Sequence, residues 1–144
     1  MTPEEKDLLL KDLFGRIPYG VKCSYLDIEF NNTTYGNLEN FEYDDDKDVI
    51  FVIDGIGIYS EHIKPYLFPL SSMTEEQLVE LRMEHEKDLK NMAICMKKCS
   101  EGDNSMRGKN ISYHAVDWCN KNNFDFRGLI PLGLAIDATG LNIY

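Results

Sequence analysis

Val49-Ile50-Phe51-Val52-Ile53-Asp54-Gly55-Ile56-Gly57-Ile58-Tyr59 is the stretch whose reading decides the fold. Its first five residues are all β-branched or aromatic, the composition of a buried strand. Asp54-Gly55 suits a two-residue hairpin turn, whose tightest form needs positive φ at both central residues. Beyond it Ile56 and Ile58 alternate with Gly57 and Tyr59, as in a second antiparallel strand.

Working outward towards the N-terminus, Asp44-Asp45-Asp46-Lys47-Asp48 reads as a solvated turn and Thr33–Phe41 as the strand before it. Asn31-Asn32 is a tight-turn signal. Val21, Cys23 and Tyr25 alternate with Lys22 and Ser24, and Ile28 and Phe30 with Asp27 and Glu29. The alternation changes phase at Leu26, which predicts a bulge or bend there. Four short strands in a row make an antiparallel meander, of a kind that can curl into a small barrel. Ahead of it, Thr2 and Glu5 fit a capping box with Pro3 at the first helical position. Leu9, Leu10, Leu13 and Phe14 recur at helical spacing, so residues 3–14 read as a helix that stops at Gly15.

Towards the C-terminus, Lys64-Pro65-Tyr66-Leu67-Phe68-Pro69-Leu70 holds two prolines and is read as an apolar connector, neither helix nor central strand. Thr74 with Gln77, or Ser72 with Glu75, caps a long helix. Its apolar face runs Leu78, Leu81, His85, Leu89, Met92, Met96 and Cys99. Residues 100–109 read as a loop and Ile111–Asn120 as a third helix with Ala115, Val116 and Cys119 on one side. The tail Phe124–Tyr144 is too apolar to hang free and is expected to dock. The fold class is therefore α+β in one domain, residues 1–144. Residues 1–63 form a helix plus an acidic meander, and residues 64–144 a connector, two helices and an ordered C-terminal segment.

Composition bounds the function. At 144 residues with 43% hydrophobic residues the chain can bury a core, and no run approaches the roughly 20 apolar residues of a membrane span. No secretory signal opens it, so a cytoplasmic setting with reduced thiols is expected for its four cysteines. The net charge of −10 argues against generic binding to nucleic acid or anionic lipid. Residues 1–63 hold 14 Asp/Glu against 5 Lys/Arg, a net of −9, while residues 64–144 hold 11 against 10, a net of −1. Lys87, Lys90, Lys97, Lys98, Arg107 and Lys109 cluster, but interleaved acids weigh against a nucleic-acid site.

Four segments carry a resemblance. They are Ile17-Pro18-Tyr19-Gly20-Val21, the run from Ile63 to Thr74, the stretch from Asp117-Trp118 through Phe124-Asp125-Phe126-Arg127-Gly128-Leu129-Ile130, and Gly133-Leu134-Ala135-Ile136-Asp137-Ala138-Thr139-Gly140. Over about a third of its length the chain resembles short proteins of gut bacteria of the Bacteroides group, linked to their phages and mobile elements. That group has no assigned activity. The resemblance implies a bacterial or phage cytosolic setting and carries no catalytic residue across.

Chemistry offers few footholds. Cys95, Cys99, His114 and Cys119 are four ligands that would suit a tetrahedral zinc site, each pair on one helix face. Against this, cysteine on an apolar stripe is ordinary core filling. Met92 and Met96 beside the same cysteines suggest a soft copper site, with core packing as the competing account. The Asp44–Asp48 run lacks the central Gly and closing Glu of a calcium loop. His85 lies on the apolar stripe as a core-edge residue. No nucleophile elbow, P-loop, dinucleotide fingerprint or zinc-protease motif occurs. The reading that follows is a non-catalytic protein-interaction module. Its acidic surface, centred on Asp44, Asp45, Asp46 and Asp48, would meet a basic protein partner. One alternative is a small-molecule or nucleotide binder, or an enzyme, with a pocket between sheet and helices lined by Tyr66 and Phe68. Another is a zinc-stabilised domain.

Overall fold

The structure is a computed structural model that describes the backbone of residues 1–85 and 113–144 and the side chains of residues 1–81 and 115–144. Helix α1 spans Pro3–Arg16. Thr2 Oγ1 accepts the Glu5 N–H and Glu5 accepts the Thr2 N–H, the reciprocal pair that satisfies two orphan donors. The helix does not stop at Gly15. It runs on to Arg16 and into a 3-10 turn at Ile17–Tyr19, and the reversal falls at Gly20 with φ 72°. Gly15 has another role. A Cβ there would lie 2.9 Å from Asn120 Nδ2, so its bare backbone lets a later helix approach closely.

Five strands follow: β1 (Lys22–Asp27), β2 (Asn32–Tyr43), β3 (Val49–Ile53), β4 (Ile56–Tyr59) and β5 (Ile63–Pro69). Strand β2 is long enough to pair with β1 through its first half and β3 through its second, so two hairpins share one strand. Asp54 and Gly55 have φ of 47° and 80°, the positive pair that matches a two-residue loop to strand twist. Pairing of β1 with β2 is continuous from Lys22 to Asp27, so no bulge occurs at Leu26. Ile28 and Phe30 belong to the turn instead, about 70% exposed, with the Asp27 carboxylate accepting the Glu29 and Phe30 N–H groups. The register shift lies in β2, between Leu38 and Asn40.

The stretch read as a connector is a strand. Strand β5 pairs antiparallel with β1 through Ile63–Pro65. It then takes two short parallel strands, β7 (Ile136–Asp137) at Tyr66–Leu67 and β6 (Phe124–Asp125) at Phe68–Pro69. The sheet order is β4-β3-β2-β1-β5-β6, with β7 also on β5. Two prolines are tolerated because each pairing is short. Pro65 lies in the last direct pair with β1, and Pro69 ends the strand. Just past Pro65 the Tyr144 hydroxyl stands in for a ladder bond, accepting the Lys22 N–H at 3.0 Å and donating to the Tyr66 carbonyl at 2.7 Å. The sheet stays open, with β4 at one end, so the meander does not curl into a barrel.

Helix α2 is described over Glu75–His85, and Thr74 with Gln77 makes its cap. Ser72 donates to the Pro69 carbonyl instead. Helix α3 spans Tyr113–Lys121. Two apolar clusters result. The larger packs α1 (Leu9, Leu13) on one sheet face (Cys23, Phe51, Ile53, Ile58) and on Leu129 and Leu134 of the C-terminal segment. The second joins Leu70, Met73 and Leu81 to Ala115, Trp118, Phe124 and Phe126. Among the described residues no helix is long and apolar enough to cross a membrane.

Candidate functional site

Asp44 organises the acidic turn between β2 and β3. Its Oδ1 accepts the N–H groups of Asp46 and Asp48, both at 2.9 Å, and its Oδ2 accepts the Tyr59 hydroxyl at 2.8 Å. The backbone closes beneath it, the Asp44 N–H donating to the Asp48 carbonyl and the Lys47 N–H to the Asp44 carbonyl. The Tyr59 hydroxyl and the two N–H groups hold the Asp44 carboxyl below its ordinary range. The same bond, with the Asp44 charge, pushes the Tyr59 phenol up. One of the four carboxylates read as an interaction surface is therefore engaged within the turn. Those of Asp45, Asp46 and Asp48 sit on exposed residues.

The neighbouring edge is unpaired among the described residues. Strand β4 pairs with β3 alone among the described residues. Ile53 and Ile56 close the hairpin, and Ile58 stands opposite Phe51. In a two-residue hairpin these positions exchange the ladder bonds, so Gly57 turns its N–H and carbonyl outward, and Tyr59 its N–H. Around this edge Tyr43 is 63% exposed and Ile56 45%, with Phe41 and Tyr59 also exposed. Residues 39–61 carry eight Asp/Glu and a single Lys. Some acids also fix the local fold. Asp54 accepts the Asn37 N–H at 3.0 Å and Glu39 the Gly55 N–H at 3.2 Å, pinning the β3–β4 turn to β2.

A second polar centre, unread in the sequence, is buried between the two apolar clusters. Asp12 and Arg16 pair through two bonds and have no exposed surface. Arg16 also donates to the Phe124 carbonyl at 2.8 Å and the Cys119 carbonyl at 3.4 Å. Burial works against its charge, but the Asp12 carboxylate and its hydrogen bonds outweigh that, and the guanidinium is held above its ordinary range. Arg127 Nε stands 3.4 Å from Asp12 Oδ1. Close by, the buried Asp125 carboxylate accepts the N–H groups of Leu129 and Ile130, both at 2.8 Å. Burial nevertheless pushes its carboxyl up. The signal for this centre was available, because Asp12 and Arg16 continue the Leu9–Leu13 stripe of α1 at i, i+4 spacing.

Of the proposed zinc ligands, Cys95 and Cys99 lie outside the described residues, and His114 lies on α3 with only its backbone described. Cys119 is fully buried, and desolvation pushes its thiol up to about 12. Among the described residues no group of three or more His, Cys, Asp or Glu is disposed to hold a metal. Met92, Met96 and the clustered lysines also fall outside. Tyr66 and Phe68 are taken up in packing: Tyr66 meets Tyr35 edge-on at 6.3 Å, and Phe68 lies against Phe124 and Tyr144. A cavity of about 250 Å³ opens where β5 ends, lined by Pro69, Ser71, Asp125, Ile130 and Asp137. Comparison with protein-family models, with curated proteins and with solved structures finds no match to this chain.

Proposed function

We propose that this protein is a non-catalytic interaction module that binds an extended, Lys/Arg-rich segment of a partner protein along the edge of β4. The observation that carries it is the juxtaposition of outward backbone groups at Gly57 and Tyr59 with the acidic turn at Asp45, Asp46 and Asp48. A bare edge gives affinity by main-chain pairing to any extended segment. The surrounding carboxylates select a basic one and speed its encounter. The exposed rings of Tyr43 and Tyr59 supply faces on which Arg or Lys can stack. A bacterial or phage cytoplasm, the setting implied by the resemblance, is part of the proposal.

The test titrates the full chain with a labelled twelve-residue peptide alternating Lys/Arg with Val/Thr, against acidic and uncharged peptides of the same length. Binding is expected for the basic peptide alone, weakening with salt, together with slower hydrogen exchange at the Gly57 and Tyr59 amides. Asp45→Asn, Asp46→Asn and Asp48→Asn together should weaken it by about tenfold, roughly 1.4 kcal/mol. Ile56→Lys should weaken it too. Binding that leaves those two amides unprotected, or that ignores the triple change, would refute the proposal.

A further inference from the structure

We propose that a cleft on the sheet face away from α1, where β1, β2 and the start of β5 meet, binds a free α-amino acid with an aliphatic side chain. The alternation of β1 sends Cys23 and Tyr25 into the core and Ser24 and Leu26 to the opposite face. Ser24 stands directly opposite Tyr35 of β2 and Lys64 of β5, and Leu26 opposite Thr33. Residues opposed in this way share a face, with Cβ atoms about 5 Å apart. The 3-10 turn Ser60–His62, which leads into β5, adds Glu61 and His62. Ser24, Leu26, Thr33, Glu61, His62 and Lys64 line about 310 Å³, at the lower end of the range of small-ligand pockets.

The polar groups of this cleft are open to it and unmet within the chain. Ser24 is only 7% exposed, and its hydroxyl makes no hydrogen bond among the described residues. Unlike Trp118 Nε1 or Asn120 Oδ1, that hydroxyl keeps accessible surface, so a ligand can reach it. An enclosed hydroxyl without a partner calls for one. Lys64 and Glu61 bring opposite charges to the same cleft without forming a salt bridge, and neither has another ion-pair partner among the described residues. The one hydrogen bond to Glu61 is a long one, from the Ser60 hydroxyl at 3.5 Å. A ligand carrying an anion and a cation on neighbouring atoms closes that gap. Its carboxylate accepts from Lys64 and the Ser24 hydroxyl, and its ammonium donates to Glu61. A simple anion would face Glu61 as a like charge, and a simple amine would face Lys64. Half-buried Leu26 and the Thr33 methyl supply apolar surface for an aliphatic side chain.

The experiment titrates the ¹⁵N-labelled full chain with leucine, leucinamide and isocaproate at constant ionic strength. Leucinamide lacks the carboxylate and isocaproate the ammonium. The backbone amides of Ser24, Glu61 and Lys64 are followed. Leucine should give saturable shifts at all three, with a Kd on the order of 1 mM. Each analogue should bind about tenfold more weakly, having lost one charge-assisted contact. Lys64→Gln and Glu61→Gln should each weaken leucine about tenfold as well. Both side chains are exposed, so these variants keep the fold. Ser24→Ala should cost about three- to tenfold. No saturable response to leucine, or an equal response to leucine and either analogue, would overturn the proposal. So would leucine binding that neither Lys64→Gln nor Glu61→Gln weakens.

Discussion

Arg16 and Asp12, one turn apart on α1, form an ion pair with no exposed side-chain surface, Nε to Oδ2 at 2.7 Å and Nη2 to Oδ1 at 3.0 Å. The pair stands where the two apolar clusters meet. Its helix belongs to the sheet-side cluster, while the carbonyls Arg16 reaches belong to Cys119 and Phe124 of the other. Removing two charges from water costs several kcal/mol per ion, so the pair itself is weak evidence of net stability. Its geometry fixes one docking of α3 and β6 against α1, because a shift would leave Arg16 donors unmet in the interior.

Asp12→Ala should therefore destabilise the protein by about 3–5 kcal/mol, the cost of an uncompensated buried cation. Asp12→Leu combined with Arg16→Leu should cost less than that single change, although the Cys119 and Phe124 carbonyls then lose a donor. Urea unfolding of the singles and the pair gives the coupling. A single substitution costing under about 1 kcal/mol would show that the pair is not what holds the junction.

Gly15→Ala sets two effects against each other. Helix propensity favours Ala by about 1 kcal/mol. The new methyl meets buried Asn120 Nδ2 at 2.9 Å, and overpacking costs about 1–3 kcal/mol. A net loss of about 1 kcal/mol is expected, with Asn120 displaced in the α1–α3 crossing. Thermal unfolding reads the sign, and a stabilised variant would show that the crossing yields easily.

The same glycine shows what the sequence can reveal. Local chemistry was legible: the Thr2–Glu5 and Thr74–Gln77 caps, the Asp54-Gly55 turn and the Val49–Ile53 strand each depend on neighbours in the chain. Gly15 was misread because its reason lies on another helix, 105 positions away at Asn120. Likewise β5 was missed because Pro65 and Pro69 speak against a strand locally, whereas Cys23, Phe124, Ile136 and Tyr144 arrive from elsewhere to pair or bridge it. The acidic turn was visible as composition, but not that Asp44 is engaged inside it by Tyr59. Arg127 gave no signal because its ion pair, Nε 3.4 Å from Asp12 Oδ1, joins positions 115 apart in the chain.

Tyr59→Phe should return the Asp44 carboxyl towards its ordinary range, since the Tyr59 hydroxyl is the largest cause of its lowering. A carboxylate lowered on folding stabilises above its unfolded pKa, and that contribution is lost as pH falls through the folded value. The turn should thus loosen at a higher pH in Tyr59→Phe than in the parent. Carboxyl-carbon NMR titration of Asp44 measures this directly, and an unchanged midpoint would show that the hydroxyl bond does not persist in solution.

Cys23 and Cys119 make the protein sensitive to alkali. Desolvation raises both thiols, Cys119 to about 12 and Cys23 further. A group raised on folding stabilises fully below its unfolded pKa and loses that contribution as pH rises towards the folded value. Above about pH 9 the unfolded chain ionises both thiols and the folded chain neither, so each costs up to about 1.4 kcal/mol per pH unit. Stability by urea unfolding under reducing conditions should fall between pH 9 and 11 more steeply than in Cys23→Ala or Cys119→Ala, compared by slope to set aside cavity losses. The native chain should also leave both thiols unmodified by iodoacetamide at pH 8, with modification after unfolding. Rapid native labelling of Cys119 would mean that the α1–α3 junction opens, and the Asp12–Arg16 pair with it.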